Sequence, residues 1–323
     1  MFDSIWKHKR LIGGLVFTIC LLVLVDSIAY SNAKSKTVNA SSNENKELAF
    51  VSDTQDPMWI ERLYLQENHN RKATGLIFKD IDARNPSALF ILGDVISLSY
   101  KEDRWKTMDK YLSETKLLGI PVYGLLGNHE VMVDPRKGEN NFQKRFPDHV
   151  KTGYVEALDS VAVILLNSNF IEMTKEQIES QQKFLQDKLN TLDEDKSIKL
   201  VVVSCHHSPY SNSKIVGSSK QVQEKFVPSF IKSKKAKLFL SGHSHNFEYF
   251  KHEGKDFFVI GGGGGLHQPL NAGLDKLPDL APDYKPMFHY LTIKRINDQL
   301  EVISHRLKED FSGFEEGFKL SIN

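Results

Sequence analysis

Five hydrophobic runs in this 323-residue chain each end, within a few positions, at a residue able to give a lone pair to a metal ion. Leu48 to Ser52 leads into Asp53-Thr54-Gln55, Ala88 to Leu92 into Gly93-Asp94, and Val122 to Leu126 into Gly127-Asn128-His129-Glu130. Leu200 to Cys205 leads into His206-His207, and Lys237 to Ser241 into Gly242-His243-Ser244-His245. Short apolar runs bounded by polar turns read as buried strands. In α/β architecture, sites form at the carboxyl ends of strands, so the repetition places every donor on one rim. Singly, each member has a bland reading: Asp94 as a helix N-cap, Gly127-Asn128 as a turn. The ordered series is what sets them apart. Asp, Asn and His are the oxygen and nitrogen donors that Mn²⁺, Fe and Zn²⁺ accept.

Between these runs the periodicity turns helical. A stretch over 69–84 sets Ala73, Leu76, Ile77 and Ile81 on one face, and another over 103–117 does so with Trp105, Met108, Tyr111 and Leu112. Residues 153–158 and 161–167 read as a hairpin, and Thr174-Lys175-Glu176-Gln177 is a capping box opening a helix to about Leu189. Later come Phe257 to Ile260, a five-glycine run, a loop with four prolines, and strands over 288–293 and 300–307. No break divides this pattern, so residues 47–310 read as one catalytic domain and 311–323 as a C-terminal tail.

The N-terminal residues read differently. Lys7, Lys9 and Arg10 make residues 1–10 a basic, cytoplasmic N-terminus before the apolar stretch Leu11 to Val25. Residues 11–30 are expected to be a transmembrane signal anchor or a cleaved signal peptide, and both readings stand. Residues 31–46 hold one large apolar residue, Val38, and read as a flexible tether. Either way the rest is expected outside the cytoplasmic membrane: anchored if the segment is kept, secreted or periplasmic if it is cut. Cys20 lies in the apolar stretch and Cys205 is alone in the remainder, which excludes a disulfide framework. Beyond residue 30 the chain carries 39 charges of each sign, so there is no electrostatic footprint for nucleic acid. The cluster Lys232, Lys234, Lys235 and Lys237 reads as a helix C-terminus.

With Asp53-x-Gln55, Gly-Asp94, Gly-Asn128-His-Glu, His206 and Gly-His243-x-His245 in hand, the chain resembles the calcineurin-like metallophosphoesterases over residues 48–245. Gly242 to Tyr249, followed by Phe258 to Gly265, resembles the purple acid phosphatase branch and extends the likeness to about residue 307. The resemblance implies an α/β sandwich of two facing mixed β-sheets flanked by helices. It implies two metal ions: Asp94 bridging, Asp53, Gln55 and His245 completing one site, and Asn128, His206 and His243 the other. His129 would protonate the leaving oxygen or stabilise charge on it, and a water activated between the metals would attack a phosphate ester.

The chain departs from that pattern in three places. Gln55 stands where many relatives have His, and an amide oxygen is the weaker donor. Ser97 stands where the purple enzymes place a tyrosine, so no tyrosinate-to-iron colour is expected. Ser208 shifts the proline after His206-His207; His206 is taken as the ligand, His207 being the alternative and otherwise a substrate contact. The oxygen-rich donors favour Mn²⁺ or an Fe/Mn pair, with Zn²⁺ as the alternative. The glycine run lacks the Gly-Lys-Ser/Thr of a P-loop and is expected to permit close packing beside the rim. His267, in the long loop 266–287, is a further candidate substrate contact and His289 a structural residue. Two rival readings are a membrane-tethered binding or structural protein with a degraded metal site, and a nuclease.

Overall fold

A computed structural model of the chain describes residues 47–323. The basic terminus, apolar segment and tether expected over residues 1–46 lie outside the described residues. Among the described residues no helix is long and apolar enough to cross a membrane.

Strands β1 (Leu48–Val51), β2 (Ala88–Ile91) and β3 (Val122–Gly124) pair in parallel, as runs separated by helical crossovers should. The chain returns to this sheet at its end. β10 (His289–Ile296), β11 (Gln299–Leu307) and β12 (Phe314–Ile322) add to it antiparallel, giving the order β12-β11-β10-β1-β2-β3. The second sheet has the order β4-β5-β6-β7-β9-β8. Its centre, β5 (Val161–Leu165), β6 (Leu200–Ser204), β7 (Ala236–Ser241) and β9 (Lys255–Ile260), is parallel; β4 (Tyr154–Leu158) and β8 (Phe247–His252) are antiparallel edges. The β4–β5 hairpin turns on Asp159 and Ser160, both at positive φ, as a tight primed turn demands.

Strand alternation builds the layers. Leu48, Phe50, Ala88 and Phe90 meet Val163, Val202, Leu240 and Phe258 in a core between the two sheets. The opposite faces of β1 and β2 (Ala49, Val51, Leu89, Ile91) are covered by α1 (Asn70–Arg84), α2 (Lys106–Leu117) and α4 (Pro135–Arg145). Helices α5 (Lys175–Glu194), α6 (Lys220–Lys225) and α7 (Val227–Lys232) cover the second sheet. Two mixed sheets flanked by helices is the expected architecture. The short helix α3 (Asn128–Val131) stands apart, at the rim.

Two expectations are corrected and a third is refined. Residues 311–323 are no tail: β12 pairs with β11 over most of its length, and Phe318 and Leu320 pack against the inter-sheet core. Its alternation over Phe318-Lys319-Leu320-Ser321-Ile322 is that of an edge strand with one wet face. Helix α5 runs to Glu194, beyond Leu189, because Leu192 completes its buried stripe. Lys232 stands in the last turn of α7, as expected of the lysine cluster, whereas Lys235 Nζ donates to Leu192 O and Asp195 O and caps α5.

Candidate metal centre

The carboxyl ends of β1, β2, β3, β6 and β7 deliver Asp53, Asp94, Asn128, His206 and His243 to one rim. The backbone bends sharply to do so. Asp53, Asp94, His243 and His245 all have positive φ, between 45° and 69°, a region costly for residues with a Cβ. Such conformations persist only where the surroundings over-determine them, and they cluster at functional sites.

Two groups of donor atoms result, and Asp94 belongs to both. Asp53, Asp94 and His245 each offer an atom within 4.8 Å of the others, and so do Asp94, His206 and His243. In the first, His245 Nδ1 donates to Leu266 O at 2.7 Å, which leaves a lone pair on Nε2, 3.3 Å from Asp53 Oδ1. The Gln55 amide faces two backbone carbonyls, Asp53 O at 3.2 Å and Asp94 O at 3.0 Å, which only its nitrogen can satisfy. Its oxygen therefore points at His245 Nε2, 3.1 Å away. Facing lone pairs in a buried place need a positive charge between them.

The second group repeats the arrangement. His206 Nδ1 donates to Leu92 O at 2.9 Å, and Nε2 meets Asn128 Oδ1 at 3.1 Å and Asp94 Oδ2 at 3.2 Å. Burial opposes charge on this ring, but Asp94 and Asp53 outweigh it and raise His206 to about 10. His245 is raised likewise, burial being outweighed by its hydrogen bond to Asp53. The field thus asks for a cation at each Nε2, which a proton or a metal ion can supply. For Asp94 burial is overcome by His206 and His129, holding it well below the usual carboxylate range. His243 is pushed far down by burial and its histidine neighbours, so its ring stays a neutral donor. Carboxylate, imidazole and amide oxygen donors in two groups sharing a carboxylate fit a metal pair.

The remaining candidates fall around this centre. His129 Nδ1 pairs with Ser97 O at 2.9 Å, and Nε2 lies 3.7 Å from Asp94 Oδ2, beside the donors. His206, not His207, joins the Asp94 group; the His207 ring stands 4.4 Å from that of His243, with Nδ1 2.8 Å from Ser168 Oγ. Burial and His206 depress His207 to about 3. Asn128 and His207 line a cleft of about 320 Å³ with Ser168 to Glu172, and His267 does not. His267 is half-buried, its Nδ1 without a partner and its charge disfavoured by burial beside His245. His289 is buried, edge-on to Phe247, consistent with a structural role.

Several residues that hold the rim were not singled out from the sequence. The fully buried Glu130 carboxylate accepts from Asp94 N, Val95 N and Gly127 N at 2.8–2.9 Å, tying the ends of β2 and β3 together. Burial and Asp94 raise it to about 7. Glu248 binds Ser211 Oγ, Asn212 N and Ser244 Oγ, anchoring the loop after β6 to the His243–His245 turn. Both acids stood inside the quoted motifs, so acid beside a ligand was the available signal. Ser168 carried none, and Ser97 was marked in the sequence only as the place of a missing tyrosine. The glycine run packs as expected: a Cβ on Gly263 would lie 2.3 Å from Ser52 O, and one on Gly265 2.6 Å from the His245 ring.

Residues 47–247 match the family model described as Calcineurin-like phosphoesterase. The chain belongs to that family. Comparison with curated protein sequences gives no match. Among solved structures it is similar to the purple acid phosphatase PPD1 of yellow lupin (Lupinus luteus) seeds, with TM-score 0.64 and 15% identity, covering 86% of this chain and 54% of that one. It is also similar to Plasmodium GAP50, described as the anchor in the inner membrane complex (TM-score 0.60, 14% identity, 86% and 89% covered). A dimetal phosphatase from Danio rerio gives TM-score 0.54 at 14% identity, with 86% and 98% covered. At these identities the likeness is one of fold, and the chain spans about half the length of the lupin protein.

Proposed function

We propose that this calcineurin-like phosphoesterase hydrolyses phosphate esters at a two-metal centre held by Asp53, Gln55, Asp94, Asn128, His206, His243 and His245. The observation that carries the reading is the sharing of Asp94 between two groups of donor atoms, each within 4.8 Å of one another and buried except for the half-buried His243. A bound pair of metal ions supplies Lewis acidity towards phosphoryl oxygens and water of lowered pKa. The chain's own residues do the rest. With Nδ1 committed to Ser97 O, His129 exchanges protons through Nε2, which suits it to protonate the leaving oxygen. Ser168 Oγ accepts from His207 N at 3.0 Å and can turn its hydrogen to Nδ1, so His207 Nε2–H is free to donate to a phosphate oxygen.

Mn²⁺ or Fe/Mn is the metal content we favour, with Zn²⁺ as the alternative. The apolar Leu11–Val25 run with its basic flank supports an extracytoplasmic domain, anchored or released. Membrane fractionation with intact-mass analysis checks this; the full chain recovered in the soluble cytosolic fraction would overturn it. Activity is tested on a chromogenic phosphomonoester and a phosphodiester after loading with Mn²⁺, Fe or Zn²⁺. We expect turnover that His243→Ala abolishes; no turnover with any metal would sink the hydrolase reading. Gln55, a neutral amide among the donors, favours a second reading as a tethered binding protein with a weakened site. That reading requires the same silence in every assay. The balanced charge beyond residue 30 argues against a nuclease.

A further inference from the structure

A phosphate held at the rim must send its ester group somewhere, and two spaces beside the rim differ in size and chemistry. On the Gln55 side, Thr54, Asp56, Val95, Arg71 and Arg104 surround about 40 Å³, room for little more than water. On the other side the cleft of about 320 Å³, bordered by Asn128 and His207, reaches the range of small-molecule sites.

Its walls say what fits. Val131, Met132, Phe170 and Ile171 form an apolar side, with Ile171 92% exposed although it touches the cleft. Glu172 and Gln221 supply a carboxylate and an amide, neither of which has a side-chain partner among the described residues. No Lys or Arg lines it; Lys225, with Nζ 5.8 Å from the Phe170 ring centroid, is not part of the lining. A second phosphate there would meet the Glu172 carboxylate and no lysine or arginine in the lining, whereas hydroxyl groups would find acceptors and a sugar or ring face would find Ile171 and Phe170.

We infer that this cleft is the leaving-group subsite, selecting phosphate esters of uncharged, hydroxyl-bearing alcohols over substrates whose leaving group is itself a phosphate. The inference rests on the hydrolase reading and deepens it.

Two measurements test it. Metal-loaded enzyme is assayed on adenosine monophosphate, whose leaving group is uncharged, and on adenosine diphosphate, whose terminal phosphate departs from an anion. We expect kcat/KM to favour the monophosphate by about tenfold or more, and Glu172→Lys to shrink that ratio by about tenfold. Equal use of both, or an unchanged ratio in Glu172→Lys, overturns the subsite. The second measurement needs no turnover: calorimetric Kd values of inorganic phosphate and phenylphosphonate on the metal-loaded protein. Phenylphosphonate should bind more tightly in the wild type, and the advantage should fall about three- to tenfold in Ile171→Asp, an exposed position where folding is not at stake. No preference for phenylphosphonate overturns the subsite. Silence on every ester with that preference intact overturns the hydrolase reading while leaving the cleft a binding site.

Discussion

Gly265 sits where one added methyl group would strike a candidate ligand before any other side chain or backbone atom. A Cβ there would lie 2.6 Å from Cε1 and Nδ1 of His245 and 2.8 Å from Nε2, against an ordinary contact of 3.4 Å or more. About 0.8 Å of movement is therefore required. The glycine segment cannot supply it. Gly265 N donates to Asp53 O at 2.8 Å, Asn70 Nδ2 holds Gly264 O and Gly265 O, and Leu266 O accepts from His245 itself. The imidazole has to move instead. Metal–ligand distances tolerate roughly 0.2 Å, and disturbing a ligand's support costs about 10- to 100-fold in affinity.

Gly265→Ala should thus bind one ion as the wild type does and the other about 10- to 100-fold more weakly, with an overpacking cost of roughly 1–3 kcal/mol. Calorimetric titration with Mn²⁺ and metal analysis after gel filtration read the affinities and the stoichiometry. Gly254→Ala is the control. Gly254 has φ +76° and no neighbour within 4 Å, so its Ala costs about 1–2 kcal/mol of backbone strain and leaves metal binding alone. Wild-type affinity at both sites in Gly265→Ala would refute the reasoning. Equal metal loss in both variants would show that stability, not ligand position, controls occupancy.

Glu130→Ala strips the acceptor from three buried backbone N–H groups and should cost about 3–5 kcal/mol in urea unfolding while weakening metal binding. Phe90→Ala, in the inter-sheet core with Phe50 stacked at 4.9 Å and Tyr123 at 5.3 Å, should cost about 3–5 kcal/mol without changing metal stoichiometry. His149, buried between Phe142 and Tyr154 with neither ring nitrogen partnered, is depressed by burial to about 4. The unfolded ring takes up its proton near pH 6.5 and the folded one only near 4. Its stabilising effect is therefore complete above pH 6.5 and is lost as pH falls to 4, by roughly 3 kcal/mol. His149→Phe should flatten that part of the stability–pH curve relative to wild type.

What could be read in advance, and what could not, follows from how each residue is held. Asp53, Asp94 and His243 were legible because a strand buried on both faces must be continuously apolar, so its first polar residue marks the rim. β12 was not, because an edge strand with one wet face looks like a tail until its partner β11 is known. The choice between His206 and His207 shows the same limit at atomic scale. Both follow β6 directly, and no property of either imidazole separates them. The difference is that Leu92 O, 114 positions away, accepts from His206 Nδ1 and turns Nε2 towards Asp94, while Ser168 turns His207 to the cleft. The left-handed backbone at Asp53, Asp94, His243 and His245 is likewise invisible to propensity, which would assign that region to glycine. Local pattern can name the donors. Their convergence depends on tertiary hydrogen bonds from Glu130, Leu92, Ser168 and the glycine run, so substitutions at these supports should separate metal affinity from the identity of the ligands.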